Sequence, residues 1–517
     1  MKNKSIKTGG HNFSQIPSVS IARSSFDRGH SYKTTFDADK LIPFYCDEAL
    51  PGDSFNCKVT AFARLNTPIV PLMDNMYLDT HWFSVPYRLI WDNWEKFNGA
   101  QDNPGDSIDY AVPTTDAPVG GHLAESLADY MGIPTNVAGL TTNALHQRAY
   151  NLIWNEWFRD ENLQDSLSVP KDDGPDLSTL YTVQKRGKKH DYFTSALPWA
   201  QKGDPIKIPM GTTAPVHAPG AAGTRVNVYS DADSQEYSLA AASSIVTLDS
   251  GVGAGSTDLY ADLTAATTVT INELRRSLQL QSLIEIDARG GTRYIETIKN
   301  HFGVQSDDYR LQRSEFLGAS SNNIDITPIQ QTSSTDATTP QGNLAAAGTS
   351  IINNAGFTKS FTEHCLLIGL VSVRADITYQ YGLNRMWSRQ TRYDYYWPSL
   401  SRIGEQAILN KEIYANNDAN DALTFGFAER YSEYRYKPSV VCGKFKSNAS
   451  GTLNIWHLSQ DFASLPLLNS AFIESNTPVA RTIAVPSEPQ FKLDCAFKLI
   501  TSRPMPTYST PGLGSHF

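Results

Sequence analysis

At 517 residues the chain could hold two or three average domains, or one β domain enlarged by insertions. Aromatic residues make up 11% and charged residues only 19%, with 34 glycines and 28 prolines; this balance argues against a helical bundle or a disordered chain and for a loop-rich β protein. The net charge of −9 restricts any nucleic-acid contact to a local patch or one shared with a basic partner.

Residues 1–40 carry seven Lys or Arg against three Asp, and the first ten residues have no acid. They read as an extended basic arm, ordered by lying on another surface or left as a solvated tail. Lys2, Lys4 and Lys7 are followed by no apolar stretch, so a signal peptide is not expected. Residues 53–97 supply the densest core pattern. Phe55, Cys57, Val59 and Ala61 alternate with polar residues, as in a half-buried strand. Met76 to Val85 is a second strand, stopped by Pro86, and Leu89 to Phe97 has the spacing of one short helix.

Gly99 to Thr142 is a long connection. In Asn143 to Leu163, Leu145, Ala149, Leu152, Ile153 and Trp157 form one apolar helical stripe. Residues 205–270 contain no Trp or Phe and have two basic residues against six acidic ones, too few large side chains for much core. They read as a surface insertion with short hairpins such as the one begun by Arg225 to Tyr229. Thr270 and Glu273 make a capping box for a helix ended by Gly290 or Gly291, and Thr292 caps a second, closed by Gly303. Residues 318–356 have no aromatic, Lys or Arg and read as a long polar loop. Strands return at Glu363 to Gln380, Phe425 to Tyr436, Ser439 to Phe445, Gly451 to Leu458 and Phe491 to Leu499. Strands at the two ends of the chain must therefore pair with each other, which fits a jelly roll with insertions.

The five cysteines (Cys46, Cys57, Cys365, Cys442, Cys495) are scattered and never in CxxC spacing, so reduced thiols are expected. The longest apolar run, Cys365 to Val371, is too short to span a bilayer. There is no HExxH, GxSxG, P-loop or metal-type Cys/His spacing, and neither an enzyme nor a cofactor is expected.

Two stretches suit binding. Lys185, Arg186, Lys188 and Lys189 place four charges within five residues, which suits either phosphate contact or a solvated loop. Tyr381 to Arg402 interleaves Arg385, Arg389, Arg392 and Arg402 with Trp387, Tyr393, Tyr395, Tyr396 and Trp397. Single-stranded nucleic acid and protein interfaces both use that mixture. A carbohydrate-binding β module is the alternative, with Trp91, Trp94 and Trp199 as platforms.

The run FSQIPSVSIARSSFDRGHSYKTTFDADKLIPFYCDEALPGDSFN resembles the start of the major capsid proteins of gokushoviruses, small single-stranded DNA bacteriophages of the Microviridae. PLMDNMYLDTHWFSVPYRLIWDNWEKF, KRGKKHDYFTSALPWAQKGD, INELRRSLQLQSLIEIDARGGTRYIETIKNHFGV, GLNRMWSRQTRYDYYWPSL and SRPMPTYSTPG are similar to further blocks of that family. The resemblance spans nearly the whole chain in order. It implies a mainly β fold, an eight-stranded antiparallel viral jelly roll with long insertions holding a few helices. It also implies a T=1 icosahedral shell of about sixty copies around a circular single-stranded DNA genome, built in the bacterial cytoplasm. A small basic packaging protein, other virion proteins and a bacterial surface receptor are the implied partners. The 205–270 insertion would rise as a protrusion near each three-fold axis. On this reading Lys185, Arg186, Lys188 and Lys189 face the DNA with Lys2, Lys4 and Lys7, and the stretch from Arg385 to Trp397 lies between subunits.

Overall fold

A computed structural model describes residues 22–107, 109–204, 206, 216–217, 226–230, 235–242, 245–249, 257–258, 260–261, 271–290, 294–303, 312–336 and 340–508. Lys2, Lys4, Lys7 and the two helix caps, Thr270 and Thr292, lie outside these residues. The chain divides into a unit of residues 1–200 and 303–517 and a second of residues 201–302.

The two main sheets of the first unit hold ten strands: β1 (Ser24–Asp27), β2 (His30–Phe36), β3 (Ile42–Ala49), β4 (Ser54–Leu65), β5 (Met76–Pro86), β6 (Glu315–Asn323), β7 (Asp325–Gln330), β8 (Leu344–Ser360), β9 (Cys365–Ala375) and β10 (Phe491–Arg503). One sheet runs β1/β2, β10, β4, β8, β7 and the other β6, β5, β9, β3. All their pairings are antiparallel, and the order is compatible with a jelly roll. The N-terminal β2 and the C-terminal β10 pair from His30–Phe497 to Phe36–Phe491, so the chain ends close the first sheet.

The sheets meet through Phe36, Phe44, Phe55, Trp82, Phe491 and Phe497. Burial explains the two sequence patterns. In β4 and β10 alternate residues are exposed, because one face of their sheet is open. In β9 nine successive residues are buried. The second face of its sheet, with Phe83, Val85, Leu366 and Ile368, packs under helix α1 (Leu145–Ile153) and Trp91. Gly369 sits mid-strand because a Cβ there would press on Trp82, Tyr45 and Phe44 at 3.0–3.1 Å.

Several expectations are corrected. The residues 318–356, expected as a polar loop, hold most of β6, all of β7 and much of β8. Their small side chains pair with β5 and β4, which bring the aromatic bulk that this stretch lacks. The arm expected over 1–40 is already strand from Ser24, paired to β10. Ser439 to Phe445 and Gly451 to Leu458 contain single 3-10 turns, not strands, and Phe425 to Tyr436 is strand only over Thr424–Glu429, ending before Tyr431 in the left-handed region. Pro438, Gly443 and Gly451 punctuate that region. Leu89 to Phe97 forms two separate turns, Tyr87–Leu89 and Trp94–Phe97.

In the second unit Val226–Ser230, Gln235–Ala242 and Ile245–Asp249 form an antiparallel meander, to which Thr257–Asp258 adds in parallel. Helices α2 (Ile271–Arg289) and α3 (Tyr294–Phe302) follow. No described helix is long and apolar enough to cross a membrane.

Candidate assembly and nucleic-acid surfaces

The basic run threads between two other segments of the first unit. The Leu41 amide donates to the Gln184 carbonyl, the Arg186 amide to the Asp39 carbonyl and the Lys188 amide to the Ile473 carbonyl. This lacing fixes the side chains in turn. Arg186 Nη1 donates to Asp79 Oδ2 at 2.7 Å and to Ser372 Oγ at 3.0 Å, while Arg374 Nε reaches the same carboxylate oxygen at 2.8 Å. Burial pushes the Asp79 carboxyl up, but the Ser321 hydroxyl and the two guanidinium groups together hold it below the usual range. Lys188 Nζ donates to the Phe472 carbonyl at 2.5 Å and stands 4.3 Å from the Phe472 ring centre. Burial brings its pKa down to about 8, against the pull of Asp191 and Asp39.

Two of the four cations are therefore engaged inside the protein. Lys185 is half-buried, its carbonyl accepting from Trp154 Nε1, and Lys189 is exposed. Arg186, Lys188 and Lys189 line a cleft of about 700 Å³ with His81, Trp157 and Phe158. His81 adds no charge at neutral pH: burial, then Arg186 and Arg374, bring its pKa down to about 4.

The stretch from Tyr381 to Arg402 is a string of 3-10 turns, Arg385–Ser388, Arg392–Asp394 and Pro398–Leu400. Three of its four arginines are anchored, and Arg402 is exposed. Arg385 Nη1 donates to the Ala407 carbonyl at 2.8 Å and to Glu412 Oε1 at 3.0 Å. Arg389 donates to Glu433 and stacks on Tyr434 at 4.2 Å, and Arg392 stacks on Trp397 at 4.5 Å. The rings face outward: Trp387 is 71% exposed and Tyr393 65%, and Tyr395, Tyr396 and Trp397 are exposed as well. Tyr434 and Tyr436 extend the same exposed strip. The interleaving of Arg430 and Arg435 with Tyr431, Tyr434 and Tyr436 carries the same compositional signal.

Such a density of exposed rings in one chain marks a surface that another molecule covers. Helix α2 is a second exposed apolar surface: Ile271, Leu274, Leu278 and Leu283 are all open to solvent. The platform role for Trp91 is ruled out, because its ring is fully buried and Nε1 donates to Asp173 Oδ1 at 2.7 Å. Trp94 stacks on Tyr87 at 4.2 Å.

Comparison with known proteins accords with an assembling chain. Residues 14–513 match the family described as "Capsid protein (F protein)". The chain is 48% identical to capsid protein VP1 of Bdellovibrio phage phiMH2K over 98% of both chains. It is 44% identical to capsid protein VP1 of Chlamydia phage 1 over 97% of both, and 38% identical to capsid protein VP1 of Spiroplasma virus 4 over 99% of this chain and all of that one. These relatives are gokushoviruses of the Microviridae. With its two antiparallel sheets, its outward-facing aromatic strip and a match along nearly its whole length, the chain belongs to the F-protein family of bacteriophage capsid proteins.

Proposed function

We propose that this capsid protein assembles with about sixty copies of itself into a closed T=1 icosahedral shell around a circular single-stranded DNA genome. The observation that carries the reading is the strip from Arg385 to Trp397: exposed rings beside part-buried Arg–Glu pairs, an apolar surface that none of the described residues covers. On this reading β2, β10, β4 and β8 form one sheet and β3, β9, β5 and β6 the other sheet of an eight-stranded jelly roll. The insertions are then the β5–β6 and β9–β10 connections. The 205–270 segment serves host attachment, and a small basic protein accompanies the DNA, which suits an acidic shell.

The geometry changes what the basic run can contribute. Arg186 and Lys188 hold the fold together, so DNA contact there falls to Lys189 and the half-buried Lys185, alongside Lys2, Lys4 and Lys7. Electron microscopy of the expressed protein tests the main reading: closed particles of one size are expected, and a folded protein that stays monomeric with its phage partners present refutes it. Shortening residues 215–262 should leave particles intact and reduce adsorption to cells. Loss of particles would instead make the insertion part of the subunit contacts.

A further inference from the structure

The sheet of β1/β2, β10, β4, β8 and β7 turns one face into the core and leaves the other open. On the open face its central strands set two pairs of like charges directly opposite each other, Arg64 with Lys492 and Lys58 with Lys498. All four residues are exposed. Like charges in this position destabilise an antiparallel pair. Here they occur twice, six residues apart on each strand, in a chain whose net charge is −9.

Neighbouring acids do little to relieve them. Asp494, between the two pairs, lies 3.7 Å from Lys33, and Glu488 lies 3.7 Å from Lys492. Asp27 and Asp325 stand on the flanking strands, opposite Ile500 and Thr349. Among the described residues no carboxylate forms an ion pair with Lys58, Arg64 or Lys498. Between the cation pairs the face presents Phe62, 40% exposed, with the Arg64 guanidinium 5.9 Å from its ring centre. Ile351 lies opposite Phe62 on β8, and Ile500 follows Lys498 on β10; both are exposed. Along β4 the open face runs Arg64, Phe62, Thr60 and Lys58, and along β10 it runs Lys492, Asp494, Ala496, Lys498 and Ile500. The two cation pairs are roughly 20 Å apart at about 3.4 Å per residue.

We propose that this open face binds single-stranded nucleic acid, with phosphates seated between the paired cations and bases against Phe62, Ile351 and Ile500. A phosphate between two opposed cations turns their repulsion into shared attraction, and flat bases suit the apolar positions beside the pairs. The inference rests on the reading that the shell encloses single-stranded DNA, and it gives that strand a surface the basic run cannot supply.

The test is the full-length variant Lys58→Gln, Arg64→Gln, Lys492→Gln, Lys498→Gln. Removing the repulsion should leave it melting no lower than the parent. The salt dependence of its binding to an oligodeoxythymidylate should be shallower by about 3 in log–log slope, from four contacts at about 0.7 each. Particles made with the other phage proteins should close and carry less DNA. An unchanged slope with unchanged DNA content overturns the proposal. So does a folded variant that binds DNA normally but no longer assembles, which would make the face a contact between copies. If the fourfold variant does not fold, Lys58→Gln with Lys498→Gln should show about half the change in slope. DNA-free parent particles would refute the enclosure reading, whereas DNA-filled particles from parent and variant alike would refute this surface alone.

Discussion

Replacing Arg148 with methionine should destabilise the protein by about 3–5 kcal/mol, because a buried carboxylate would lose its counter-charge. Arg148 projects from α1, and its side chain is 0% exposed against 2% for that of Asp176. Nε and Nη2 donate to the two Asp176 oxygens at 2.7 and 2.6 Å, and Nη1 donates to the carbonyls of Ile90 and Asp172 at 3.1 and 2.9 Å. Tyr181 adds its hydroxyl to Asp176 at 2.5 Å. One side chain thus ties the turn after β5, helix α1 and the 172–181 loop together over the buried sheet. Methionine keeps much of the volume but strands Asp176 and two carbonyls. Arg148→Met with Asp176→Leu removes both charges and should recover a large part of the loss. Denaturant unfolding of the unassembled chain, with limited proteolysis of the 172–181 loop, measures both. If the single variant loses under about 1 kcal/mol, or the double loses more than the single, the pair is not the fastening described here.

Alanine at Trp387 and Tyr393 should leave the melting temperature unchanged while weakening association; at about 2 kcal/mol for a central ring, each contact weakens roughly thirtyfold, read as a higher concentration threshold for particles. Normal assembly would remove these rings from the interface. Gly369→Ala should cost about 1–3 kcal/mol by overpacking against Trp82, Tyr45 and Phe44, measured by thermal unfolding. His81 predicts a pH dependence. Its folded pKa of about 4 lies below the unfolded value near 6.5, so between them the unfolded state binds the extra proton. The stability is fully present above the unfolded pKa and falls as pH drops from about 6.5 toward 4; His81→Phe should flatten that limb of the melting curve, and an equal slope in both proteins refutes the assignment.

Local pattern was enough for the elements whose own residues carry the signal. β4 alternates because one side chain in two is buried, β9 is continuously apolar because both of its faces are covered, and α1 shows its stripe. The outward strip from Arg385 to Trp397 was also legible as a composition, although whether its rings lay in a core or on a surface was not. β6, β7 and β8 escaped because Gly, Ala, Ser, Thr and Asn have no periodicity to display, and their bulk comes from strands far away in sequence. The basic run misled for a related reason. Charge is visible in a sequence, but the partner that consumes it is not: Asp79 is far from Arg186 along the chain and 2.7 Å from it in space.

The sequence by itself determined the family, the β character of both ends and the absence of a familiar catalytic motif, since these depend on residue order alone. Tertiary structure decided which charges are spent and which are free. Arg186 and Lys188 turn inward onto Asp79 and Phe472, while Lys58 and Lys498, unremarkable in the sequence, meet on an open sheet. Electrostatic energy depends on distance and burial, and strand register sets both only when the chain ends come together.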